Sequence, residues 1–160
     1  MKCVAPFEPA ICVADLDRMK EFYCDQFGMT VFNVLDVPPD KSAPPGLAAN
    51  GYTIMRLETN DGQRFKLVQP NNPPAPNAGR DYVLDRQGLA FVTFLIDDLA
   101  GLIERLAAAG HTLMGDGERF EVRDGVNIAF VQDPEGNCIE LVEYADISVY
   151  RPELAAAGAR

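Results

Sequence analysis

Four runs of alternating residues, Glu8 to Val13, Arg64 to Gln69, Leu89 to Ile96 and Asn137 to Glu143, read as strands whose side chains sort onto two faces. One face collects Glu8, Cys12, Arg64, Lys66, Phe91, Thr93, Cys138 and Glu140. That mixture of carboxylates, cations, thiols and apolar groups suits a ligand-binding concavity. The other face collects Ile11, Val13, Phe65, Leu67, Phe94, Ile96, Ile139 and Leu141, an apolar set suited to lie beneath helices. A thiolate at Cys12 or Cys138 would be a nucleophile if a cation lowered its pKa; a small buried hydrophobe is the ordinary alternative. Arg56 and Arg64, on neighbouring strands, can grip a carboxylate or phosphate or simply face water. Tyr52, Met55, Tyr82, Phe91 and Phe130 are candidates to line a pocket for a planar ligand, with core packing as the alternative for each.

An internal repeat places these residues. Val13-Ala14-Asp15-Leu16 and Ile96-Asp97-Asp98-Leu99 each end an alternating run and open an amphipathic stretch, 83 positions apart. DGQRFKLV, from Asp61 to Val68, resembles EGNCIELV, from Glu135 to Val142, at an offset of 74. The Pro-rich excursion VPPDKSAPPG, Val37 to Gly46, accounts for the difference. Each half therefore reads as strand, helix and three further β segments. Helix one carries Leu16, Met19, Phe22, Tyr23 and Phe27 before Gly28, and helix two carries Leu99, Leu102, Ile103 and Leu106 before Gly110. An Asp caps each. The β segments fall at Thr30 to Leu35, Tyr52 to Glu58 and Arg64 to Gln69, then Thr112 to Met114, Phe120 to Gln132 with an Asp124-Gly125 turn, and Asn137 to Glu143. Asp61-Gly62 and Glu135-Gly136 read as two-residue hairpin turns. The reading is two βαβββ modules over residues 1–70 and 88–145, a linker over 71–87 and a surface tail over 146–160, in which Leu154 to Ala157 form at most one helical turn.

The composition closes off several kinds of function. A chain of 160 residues with 48% hydrophobic side chains can build a compact core, which excludes a disordered tail. A formal charge of −10 repels phosphate backbones and anionic headgroups, so neither nucleic acid nor a membrane is an expected partner. His111 is the sole histidine, which excludes HExxH and His-rich zinc sites within one chain; it follows Gly110 at a helix end, where a surface cation is the expected role. The cysteines Cys3, Cys12, Cys24 and Cys138 form no CxxC pair, as expected of reduced thiols in the cytoplasm. No run approaches the roughly 18 apolar residues of a membrane span.

VADLDRMKEFYCDQFGM, FVTFLIDDLAGLIERLAAAG and FVQDPEGNCIELVEY together resemble the vicinal oxygen chelate superfamily over nearly all of residues 7 to 145. The resemblance implies an α+β fold of two βαβββ modules whose mixed sheets curl into a glyoxalase-like cup, and it implies a homodimer. Metal-dependent members carry ligands on the first and last strands of each module, commonly His, Glu, His and Glu. Those positions fall here on Glu8, Lys66, Phe91 and Glu140. An ammonium and a phenyl ring are not ligands, so the resemblance implies a cup with no cofactor and no catalytic metal. A small organic ligand is the expected partner. Glu8, Lys66 and Glu140 then either move a proton and hold an anion, as in a metal-independent lyase or isomerase, or form a salt-bridge network left where a metal once sat. Two alternatives stay open: a protein that sequesters an antibiotic or metabolite, and a divalent-metal enzyme using Glu8 and Glu140.

Overall fold

A computed structural model describes residues 5–153. The chain divides between Asn77 and Ala78 into two units. The first contains β1 (Ala10–Cys12), α1 (Leu16–Phe27), β2 (Thr30–Val37), the single-turn α2 (Pro39–Ser42), β3 (Tyr52–Glu58) and β4 (Arg64–Pro70). The second contains β5 (Val92–Leu95), α3 (Leu99–Ala108), β6 (Phe120–Arg123), β7 (Val126–Gln132) and β8 (Cys138–Tyr144). Their four-stranded mixed sheets run β1-β4-β3-β2 and β5-β8-β7-β6. In each, the first and last strands pair in parallel and the other pairs are antiparallel.

The two offsets recur bond for bond. Ala10 faces Lys66 in the first parallel ladder, and Thr93, 83 positions on, faces Glu140, 74 positions on. Val13 N donates to Val68 O as Ile96 N donates to Val142 O, both at 2.9 Å. The Asp15 carboxylate accepts from Arg18 N at 3.0 Å and that of Asp98 from Gly101 N at 2.9 Å, satisfying donors that each helix start leaves open. A second donor goes to a strand side chain in both units: Leu16 N to Gln69 Oε1 at 3.0 Å, and Leu99 N to Glu143 Oε1 at 3.3 Å.

Helical spacing buries Leu16, Met19, Phe22 and Tyr23 in α1, and Leu99, Leu102 and Leu106 in α3. Tyr23 packs on Phe65 of β4 with ring centroids 4.9 Å apart. Each such side chain contributes about 1.5–3 kcal/mol on leaving water. Gly28, at φ 63°, ends α1 in the left-handed conformation. Of the apolar face expected from alternation, Ile11, Val13, Phe65, Leu67, Ile139 and Leu141 are buried, while Phe94 and Ile96 are half-buried.

Several expected boundaries are corrected. The opening strands are shorter than Glu8 to Val13 and Leu89 to Ile96: Pro9 lacks a donor, and Leu89 stands exposed outside the ladder. Thr112 to Met114 is no strand but one bridge, Leu113 to Val131, after which Gly115 and Gly117 turn the chain away at positive φ. The hairpin turns have three residues rather than two. Thr59 N bonds Gln63 O at 2.9 Å, Asp133 N bonds Asn137 O at 3.0 Å, and Gly62 and Gly136 take the left-handed position that three-residue loops require. The tail is anchored at its start, because Tyr150 stacks on Tyr144 of β8 at 5.2 Å. Leu154 to Ala157 lie outside the described residues. Among the described residues, no helix is long and apolar enough to cross a membrane.

Candidate functional site

In the first unit, the sheet face turned away from α1 carries Arg56 and Glu58 from β3 and Arg64 and Lys66 from β4. Arg56 faces Lys66, and Glu58 faces Arg64. Glu8, just ahead of β1, accepts from Lys66 Nζ at 2.9 Å. The Lys66 hydrogen bond holds the Glu8 carboxyl below its usual range; partial burial opposes this, and the charges of Lys66, Arg64 and Arg56 reinforce it. Arg64 Nε pairs with Glu58 at 3.0 Å while its guanidinium lies 3.7 Å from the centre of the Phe32 ring. Arg56 donates to Asn33 Oδ1 at 3.0 Å.

Phe32 and Asn33 are adjacent in sequence yet serve the same face. A β-bulge between Val31 and Asn33 makes this possible: Val31 faces Leu57, Asn33 faces Arg56, and Phe32 is the extra residue. Strict alternation would put the two side chains on opposite sides, so sequence reasoning missed Phe32 and Asn33; it also missed Glu58, the partner of Arg64.

In the second unit, Thr93 of β5 donates to Glu140 Oε2 at 2.7 Å, and Phe130 of β7 faces Glu140 from the other side. The Phe91 and Phe130 rings meet edge to face at 5.5 Å. Cys138 lies one alternation along β8, 3% exposed, with its sulfur 3.6 Å from Met114 Sδ. Burial pushes its thiol pKa up; Arg80 and Arg86 pull it down and Asp133 pushes it up. Cys138 is thus a packed, neutral thiol, and the nucleophile reading fails for it. Cys12 is exposed at the end of β1.

Other candidates stand apart. Tyr52 is on the charged face but four residues along β3 from Arg56, about 13 Å away. Met55 is 6% exposed on the core face, and Tyr82 is 76% exposed in the segment ahead of β5. His111 is half-buried rather than fully on the surface, its N–H bonded to Leu106 O.

At Lys66 and Phe91, two positions that the resemblance assigns to metal ligands, the side chains present do not fit a divalent cation. An ammonium already occupies a Glu8 oxygen, and the Phe91 ring has no donor atom. Among the described residues, no three His, Cys, Asp or Glu side chains gather as a metal-holding group.

The family model of the Glyoxalase/Bleomycin resistance protein/Dioxygenase superfamily matches residues 6–141. A lactoylglutathione lyase of Haemophilus influenzae is 29% identical over 132 residues, covering 82% of this chain and 86% of that protein. A probable lactoylglutathione lyase of Synechocystis is 27% identical over 134 residues, covering 83% and 90%. The fold is similar to that of a glyoxalase family protein from Bacillus cereus, with a TM-score of 0.77 at 22% identity over 91% of this chain and 97% of the other.

Proposed function

We propose, from the premise that the chain belongs to the Glyoxalase/Bleomycin resistance protein/Dioxygenase superfamily, that it binds a small organic molecule on its charged sheet faces and moves a proton beside a carbonyl without a divalent metal at the four family positions. One observation carries the reading: Lys66 places an ammonium, 2.9 Å from Glu8, at a position that metal-dependent relatives give to a ligand. A cation fixed there can stabilise negative charge developing on a carbonyl oxygen, the service a metal would otherwise perform. Glu8 is tied to that ammonium and held ionised, which makes it a weak base. The second unit carries a carboxylate of its own, Glu140, oriented by the Thr93 hydroxyl, as the candidate for moving a proton there. The names of the curated relatives support a lyase.

The test uses lactoylglutathione, named for those relatives, in deuterated water with chelator-treated protein of measured metal content. Deuterium exchange at the carbon beside the thioester carbonyl is expected in metal-free protein. Glu140→Gln should slow it about 10²- to 10⁴-fold while ligand-induced thermal stabilisation persists. Glu8→Gln should lower it far less. Exchange that appears only on adding zinc, nickel or cobalt would overturn the metal-free reading. Stabilisation without exchange in the native protein would identify a sequestering binder.

A further inference from the structure

We infer that Arg56 is the docking point for a carboxylate on the ligand, so that the small molecule bound by the first unit's charged face is an organic acid. The inference deepens the functional reading above and rests on it only in supposing that a small ligand occupies this face. The face carries three cations, Arg56, Arg64 and Lys66, against two carboxylates, Glu8 and Glu58. Lys66 is neutralised by Glu8 at 2.9 Å and Arg64 by Glu58 at 3.0 Å. Among the described residues, Arg56 has no carboxylate within ion-pair distance; its hydrogen-bonded partner is the neutral Asn33 amide.

One positive charge is therefore left over in a chain whose formal charge is −10. It belongs to a half-buried guanidinium with five N–H donors, whose hydrogen bond to Asn33 occupies one. A planar fork held in one orientation matches a carboxylate in two parallel hydrogen bonds. The orientation depends on the bulge in β2, which turns Asn33 toward Arg56 and, in the same step, sets the half-exposed Phe32 ring beneath Arg64. The Phe32 ring, held against the neighbouring Arg64, offers apolar surface on the same face for the carbon skeleton of the acid. A cation destined only for water needs neither the amide nor the bulge.

Phenylacetate and its uncharged analogue phenylacetamide are the probes, titrated at constant ionic strength and followed through the arginine Nε–H signals by nuclear magnetic resonance. Phenylacetate is expected to shift the Arg56 signal saturably and phenylacetamide to leave it in place. Arg56→Gln should weaken phenylacetate binding about tenfold or more, and Asn33→Ala should weaken it in the same direction by freeing the guanidinium. Lys41→Gln, at an exposed cation elsewhere in the unit, should leave it unchanged. Equal response to the two probes, no shift at Arg56, or undiminished binding by a folded Arg56→Gln protein would overturn the inference. Phenylacetate bound at Arg56 with no exchange of lactoylglutathione would retain the ligand class and remove the reaction. Exchange without any response at Arg56 would do the reverse.

Discussion

Lys66 donates to Glu8 across 2.9 Å, joining β4 to the residues just ahead of β1. The bond favours the ionised carboxyl, so folding lowers the Glu8 pKa below its ordinary 4.5. The stability this contributes is fully present above the unfolded value and is lost as pH falls through the folded one. Lys66→Met should return the Glu8 titration toward the ordinary range, read from its side-chain carboxyl carbon resonance. The native protein's stability advantage over the variant should be present at neutral pH and vanish in acid. An unchanged titration would show that the ammonium does not govern this carboxylate.

The two hairpins ahead of β4 and β8 share one closing bond but differ in what secures them. Asp133, 4% exposed, accepts from Glu135 N at 3.0 Å and from Asn137 N and Nδ2 at 2.9 Å. Thr59 occupies the equivalent place and accepts from Gln63 N at 3.0 Å in an exposed loop. Asp133→Ala should cost about 2–3 kcal/mol, because it strands three part-buried donors, and Thr59→Ala about 1 kcal/mol. Urea unfolding of both variants measures the difference, and equal losses would contradict it.

Thiol labelling should follow burial. Iodoacetamide is expected to modify exposed Cys12 well before Cys138, which is shielded and held neutral, with Cys24 also slowed because burial and the neighbouring Asp25 raise its pKa. Peptide mass spectrometry against time gives the order. Rapid modification of Cys138 in folded protein would mean that β8 opens readily.

Phe32→Ala should cost at most about 1 kcal/mol, since the ring is half-exposed and its contact with Arg64 is a surface cation–π pair. The visible effect should be on motion. Nitrogen relaxation at Arg64 Nε should report a freer side chain, while the Arg56 signal keeps its rigidity through Asn33. Loss of order at both would show that the bulge itself had relaxed.

The topology was legible because repeated chemistry marks it: Asp15 and Asp98 at the helix starts, Gly62 and Gly136 in the loops, and apolar alternation along β4 and β8. These are local signals, each with one steric or hydrogen-bonding cause. Glu8, Lys66 and Arg64 were placed on one face by the same alternation, and Arg56 was read only as lying on a neighbouring strand. What stayed hidden depends on pairing between distant segments. A bulge changes sidedness without changing composition, so Phe32 and Asn33 gave no sign of their role. The single turn Pro39–Ser42 lay inside a stretch whose prolines read as loop, although Pro is well suited to a first helical turn. Cys138 alternates with the charged face, yet Met114, arriving from a segment that forms only one bridge, covers it.

The equivalence of Ala10 with Thr93 and of Lys66 with Glu140 means that one lattice point of a duplicated scaffold hosts opposite electrical signs. Beside Lys66 the chain supplies an acid, Glu8, and beside Glu140 a hydroxyl, Thr93, so each copy has its own local counterweight. Hydrogen-bonded ladders that tolerate either occupant let one half be re-specialised while the other stays as it was. A single Glu140→Lys change should therefore set a basic tooth beside Thr93 without disturbing the weave that holds it.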